Sequence, residues 1–127
     1  MRLLLDTHVW LWLFSAPRQV PQSVHDALGT STLHWSAACV WEIANKHASG
    51  KLVLPGEPRA FVRTRSQSAG ARPLDITSEH ALHANVLPPH HRDPFDRLLV
   101  AQAQVEGLTL VTGDPKLSAY DVEILWD

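Results

Sequence analysis

Four carboxylates stand at places in this chain where element boundaries would gather them. Asp6 directly follows the apolar run Leu3-Leu4-Leu5, and Asp114 follows the run Leu108 to Thr112 after the single residue Gly113. Asp96 lies near the start of a helical pattern opened by Asp93-Pro94, and Glu42 falls in the second turn of a helix that Ser36 would cap. Carboxylates held together in a low-dielectric crevice must be protonated, paired with bases or bound to cations, because their mutual repulsion is otherwise too large. Oxygen-only ligands suit Mg²⁺ or Mn²⁺ better than Zn²⁺, and a phosphodiester can complete the coordination. Two such ions, typically ~3.5 to 4 Å apart, activate an attacking water and stabilise the leaving oxygen of an in-line displacement. That is nuclease chemistry.

Each acid also has a purely local reading. Asp6 and Asp114 can cap the turns that follow them, Asp93 can cap a helix with Pro94 in its first position, and Asp96 gains from the positive end of that helix dipole. Glu42 can pair with Lys46 four residues on. Only the shared location of the four favours a joint role. Lys46, Lys51, Arg92, Arg97 and Lys116 flank the expected mouth, where they would either contact substrate phosphates or remain solvated. Arg97 has a third reading, as a partner that holds a carboxylate. Among eight histidines, the pairs His80-x-x-His83 and His90-His91 raise the question of zinc, but neither has a third soft ligand. A solvated helix face and a polar loop are expected instead.

The elements that must position these groups alternate in type. Strands are expected at Arg2 to Leu5, Thr32 to Trp35, Arg72 to Ile76, Leu108 to Thr112 and Val122 to Trp126. Helices are expected between them, at His8 to Phe14, Gln22 to Leu28, Ala37 to about Ala48, about Ala60 to Ser68, Thr77 or Ser78 to about Asn85, and from Asp93-Pro94 to Gly107. Such alternation implies an α/β fold in three layers, α/β/α, with a central, mainly parallel sheet of four to five strands. In sheets of this kind ligands collect beyond the carboxyl ends of the strands, where all four acids should lie. The apolar run Val9 to Phe14 would be greasy on every side of a helix, so part of it is expected to meet a second subunit or another protein. Trp10, Trp12, Phe14 and Trp41 are otherwise expected in the core.

A chain of 127 residues, 45% hydrophobic and 19% charged, is expected to form one globular domain, residues 1–127. A formal charge of −2 argues against a protein that holds nucleic acid mainly by a broad basic surface. Cys39 is the only cysteine, which excludes an intrachain disulfide and a Cys-rich zinc site and fits a reducing, cytoplasmic setting. Asp6 and His8 interrupt the apolar start, and no run approaches the ~20 apolar residues of a spanning helix, so no membrane association is expected.

Taken in order, Leu3-Leu4-Leu5-Asp6-Thr7-His8-Val9-Trp10, Trp41-Glu42-Ile43-Ala44-Asn45-Lys46 with Gly50-Lys51-Leu52, His91-Arg92-Asp93-Pro94-Phe95-Asp96-Arg97-Leu98-Leu99-Val100-Ala101-Gln102-Ala103, and Leu110-Val111-Thr112-Gly113-Asp114 resemble the PIN-domain family, specifically its small VapC-like toxins. The resemblance spans nearly the whole chain. It implies an endoribonuclease dependent on Mg²⁺ or Mn²⁺, with two ions during catalysis, the toxin half of a type II toxin–antitoxin system. It also implies an RNA substrate, a small cognate antitoxin and a homodimer. Carried over by position, Asp6, Glu42, Asp96 and Asp114 are the catalytic and metal-binding acids. Thr7, Asp93 and Thr112 would orient them or a bound water, and Lys46, Arg92 and Arg97 would touch RNA. Gly113 is a small variation beside Asp114.

Three other functions compete. A phosphate-receiving signalling domain also gathers acids at the sheet edge but needs a lysine after the last strand, where the sequence has only Asp127. A phosphatase with an Asp-x-Asp nucleophile is disfavoured because His8 stands at the second position. A catalytically silent PIN-like module that binds RNA or protein is the remaining alternative, and the four acids count against it.

Overall fold

The computed structural model describes all residues from Met1 to Asp127. Its centre is a five-stranded sheet, ordered β3-β2-β1-β4-β5, in which every neighbouring pair is parallel. The strands are β1 (Arg2–Leu5), β2 (Thr32–Ser36), β3 (Arg72–Leu74), β4 (Thr109–Val111) and β5 (Ile124–Leu125). Between them run α1 (Thr7–Ser15), α2 (Gln22–Leu28), α3 (Ala37–Ala48), α4 (Pro58–Ala69), α5 (Ser78–Asn85) and α6 (Pro94–Glu106), with single 3-10 turns at Pro17–Gln19 and Pro115–Ala119. Leu3, Leu4 and Leu5 point alternately to the two faces of the sheet, yet all three are fully buried. Helices therefore cover both faces, which is the expected three-layer α/β/α arrangement.

Three strands are shorter than the apolar runs suggest, and the partner strand explains each case. β3 ends at Leu74 because its partner β2 ends opposite, at Ser36, where the chain turns into α3. Likewise β4 stops at Val111 and β5 at the paired Leu125. Pro73 lies on the outer strand β3, where a residue without an amide hydrogen is tolerated.

The core joins Leu33 and Trp35 of β2, Leu110 and Val111 of β4, and Leu99 and Val100 of α6 to the leucines of β1. Trp10 of α1 stacks on Trp35, with ring centroids 4.1 Å apart and planes 9° from parallel. The greasy helix α1 finds most of its cover within the chain. Trp12 meets Trp126 at 5.9 Å, and Phe14 meets Phe61 of α4 edge-on at 5.1 Å beneath the Arg65 guanidinium. Phe14 still keeps 41% of its surface exposed. Trp41, expected in the core, is 61% exposed and leans edge-on against Phe95. Its neighbour Ile43 takes the inward position of α3 instead. No helix is long and apolar enough to cross a membrane.

The strand order places the functional crevice. The chain steps outward from β1 to β2 to β3, then returns across to β4 on the other side of β1. The segments leaving the carboxyl ends of β1 and β4, α1 and the 3-10 turn Pro115–Ala119, part at that reversal and leave a crevice between them. Leu5 and Val111 are register partners at its base.

Candidate active site

Asp6 and Thr112 are the first residues beyond those paired strand ends. The Asp6 amide still donates to Val111 O at 3.0 Å, so its side chain enters the crevice from a backbone fixed by the sheet. One carboxylate oxygen, Oδ1, accepts from the Thr7 amide at 2.7 Å. The other, Oδ2, accepts from the Thr112 hydroxyl at 2.8 Å and faces His8 Nδ1 at 3.2 Å. The Thr112 hydroxyl in turn accepts from the Asp114 amide at 3.1 Å, and Asp114 caps the following 3-10 turn by accepting from Lys116 N at 2.9 Å. Asp6 and Asp114 are thus both caps and members of one cluster, so the two readings of each are compatible.

Helices α3 and α6 supply the opposite wall. Ser36 caps α3 through the Ala38 amide, which sets the phase that turns Glu42 toward the crevice, where it pairs with Lys46 at 3.3 Å. Asp93 caps α6 through the Phe95 amide at 2.8 Å, placing Asp96 in the first helical turn. His91, in the loop before α6, brings Nε2 to 3.1 Å from Asp96 Oδ2 and 3.3 Å from Asp114 Oδ2. The four acids line one cleft of about 180 Å³ together with Thr7, His8, Lys46 and Asp93, and no hydrophobic side chain lines it.

The electrostatics of this cleft are uneven. Burial works to raise the Asp6 carboxyl, but the contacts from His8, Thr112 and the Thr7 amide outweigh it and leave Asp6 below its ordinary value. Asp96 goes the other way, to about 8, through burial first and then repulsion from Asp6, Asp93, Glu42 and Asp114. Burial also pushes the Cys39 thiol up, so this cysteine is an inert part of the core.

A divalent cation fits this donor set. The four acids offer oxygen ligands, their mutual repulsion adds to burial in raising Asp96, and the hydroxyl of Thr7, buried at the cleft, has no hydrogen-bond partner. Of the basic candidates, Lys46 lines the cleft and Arg92 is exposed on the loop leading to α6. Arg97 corrects the sequence reading. Its guanidinium meets neither a carboxylate nor the cleft, because it donates to the carbonyls of Ala84, Leu87, Pro88 and His91 and to the Tyr120 hydroxyl. It binds the loop before α6 to α5.

Sequence reasoning missed His8 and His91 as members of the site. Both adjoin residues it did select, but which carboxylate a histidine meets depends on the loop path. His80 is a second correction, since it is fully buried, closes a reciprocal cap with Thr77 and meets Glu106 at 2.8 Å. Gly113 also has its reason: a Cβ there would lie 2.7 Å from the Trp126 ring, so only glycine lets the C-terminal tryptophan close over the turn carrying Asp114.

The PIN domain family model matches residues 3–123, which is nearly the whole chain. This chain is a PIN domain. No match is found among curated proteins, but solved structures are similar in fold over nearly their full length. VapBC2 from Rickettsia felis, crystallised with a DNA fragment from its promoter, superimposes with a TM-score of 0.75 at 16% identity and covers 100% of both chains. VapBC-1 from nontypeable Haemophilus influenzae gives 0.70 at 17% identity, over 98% of this PIN domain and 97% of that chain. FitAcB from Neisseria gonorrhoeae gives 0.63 at 24% identity, over 97% and 96%.

Proposed function

We propose that this PIN domain is a metal-dependent endoribonuclease and the toxin half of a type II toxin–antitoxin pair. The observation that carries the reading is the convergence of Asp6, Glu42, Asp96 and Asp114, from four separate elements, on one polar cleft at the sheet's switch point. That its structural neighbours include a member of the VapBC family of toxin–antitoxin systems supports the toxin assignment and an antitoxin partner. Homodimer formation and a cytoplasmic setting belong to the same reading.

Asp6, Glu42, Asp96 and Asp114 would hold Mg²⁺ or Mn²⁺, up to two ions, whose bound form supplies charge neutralisation and water activation at an RNA phosphodiester. The chain's own residues do the positioning. Thr112 ties the Asp6 carboxylate to the Asp114 turn, Asp93 starts α6 so that Asp96 faces inward, and the Thr7 hydroxyl offers an unused polar atom to a ligand or a water. Lys46, 46% exposed beside Glu42, and Arg92 would meet RNA phosphates outside the acid cluster.

The test is cleavage of structured RNAs by the purified protein with Mg²⁺ or Mn²⁺, beside Asp6→Asn and Asp96→Asn. Cleavage is expected to disappear in both variants and with a chelator, and undiminished cleavage without metal would refute the mechanism. Growth arrest on expression, relieved by a small co-expressed partner, separates a toxin from a housekeeping nuclease.

A further inference from the structure

Three histidines in this fold share one device, and two of them bear on the acid cleft. A backbone amide can only donate, so a ring nitrogen that faces one must be the unprotonated nitrogen, and the neutral ring then carries its hydrogen on the other. The Asp93 amide donates to His91 Nδ1 at 3.0 Å. That leaves the hydrogen on Nε2, which faces Asp96 Oδ2 at 3.1 Å and Asp114 Oδ2 at 3.3 Å. His8 is the mirror case. The Gly113 amide donates to its Nε2 at 3.0 Å, which leaves Nδ1 to donate to Asp6 Oδ2 at 3.2 Å. His80 repeats the His91 pattern away from the cleft, with the Thr77 amide on Nδ1 and Glu106 at Nε2.

We propose that His8 and His91 are paired positioning residues, each locked by a backbone amide into the tautomer that donates to the carboxylates and ligating no metal itself. The proposal rests on the reading of the acids as a divalent-cation site. His91 Nε2 lies close enough to Asp96 and Asp114 for the three to resemble a mixed nitrogen and oxygen metal site. The hydrogen on that nitrogen excludes it as a ligand in this arrangement. Its role is to turn toward one point two carboxyl groups that arrive from different elements, α6 and the turn after β4. The donor set for the ion then stays all-oxygen, the set suited to Mg²⁺.

The backbone of His91 is itself held at both its amide and its carbonyl. Its amide donates to the Tyr120 hydroxyl at 3.0 Å, its carbonyl accepts from Arg97 at 3.4 Å, and Arg97 also fixes the preceding Pro88 carbonyl at 3.1 Å. The guanidinium outside the cleft therefore acts on the acids through His91.

Two measurements on the full chain test the proposal. Long-range ¹H–¹⁵N correlation NMR reads which ring nitrogen carries hydrogen: Nε2 is expected for His91 and His80, and Nδ1 for His8, unchanged by saturating Mg²⁺. A His91 ring protonated at Nδ1, or one that loses its Nε2 hydrogen when Mg²⁺ is added, would overturn the assignment. The second measurement is Mg²⁺ titration by calorimetry on a crossed set of variants, since glutamine places its amide near the Nε2 position and asparagine near Nδ1. His91→Gln and His8→Asn keep the donor toward the acids and should bind Mg²⁺ within about 3-fold of wild type, whereas His91→Asn and His8→Gln should weaken binding about 10-fold or more. Equal affinities in all four variants would overturn the histidine roles alone. An absence of Mg²⁺ uptake by the wild-type chain would instead overturn the metal site on which they depend.

Discussion

Asp6 and Asp96 line the same cleft with the same side chain, and their surroundings pull them in opposite directions. Asp6 faces three donors, the Thr7 amide, the Thr112 hydroxyl and the His8 ring, all placed by the paired ends of β1 and β4. Asp96 faces one, the His91 ring, and shares it with Asp114. Asp6 consequently lies below its ordinary value and Asp96 rises to about 8. Fixed donors hold Asp6 down against its burial, whereas burial and the repulsion of four neighbouring acids leave Asp96 raised. On the proposed reading, folding alone finishes the sheet side of the cleft, and a cation would complete the α6 side.

The largest effect should follow from disturbing the finished side. Asp6→Asn turns an amide group toward donors that now lack an acceptor, so beyond loss of cleavage it should destabilise the fold by about 1–3 kcal/mol. Chemical denaturation measures this, and an unchanged midpoint would mean that the donors around Asp6 contribute nothing to stability.

This contrast was only partly legible in the sequence. The run Leu3-Leu4-Leu5 followed by Asp6, and the pair Asp93-Pro94 before Asp96, encode their elements locally through apolar continuity and capping, so the acids and the sheet could be read directly. Strand ends could not, because Leu74 and Leu125 are last residues only where the partner strand stops. The roles of His8, His91 and Arg97 depend on where loops lie against α6 and the turn after β4, and nothing local encodes that. Gly113 reads as a small variation in the sequence, whereas in the fold a Cβ there would lie 2.7 Å from the Trp126 ring.

A smaller effect should come from the hydroxyl that joins the two strand ends. Thr112→Val removes the donor to Asp6 and the acceptor for the Asp114 amide, at a cost of about 1–2 kcal/mol, and Thr112→Ser should recover most of it. A valine variant that melts above the serine variant would show that packing of the methyl group, and not the hydroxyl, is what matters at this position.

The α6 side has the opposite sign. The folded Asp96 carboxyl titrates near 8, against an ordinary value of 3.8. Between these values the native chain holds a proton that the unfolded chain has released, so this group makes the metal-free protein less stable as pH rises from roughly 4 to about 8. Asp96→Asn lacks that liability. The decisive measurement is thermal melting of wild type and Asp96→Asn across this pH range, with and without Mg²⁺. Without metal, the variant should melt higher, by on the order of 5 °C at the alkaline end, with the gap closing toward acid. With Mg²⁺, wild type should rise and the variant should stay where it was. A variant that melts below wild type in the absence of metal, or that gains as much from Mg²⁺ as wild type does, would contradict the account of Asp96 as the acid kept for a cation.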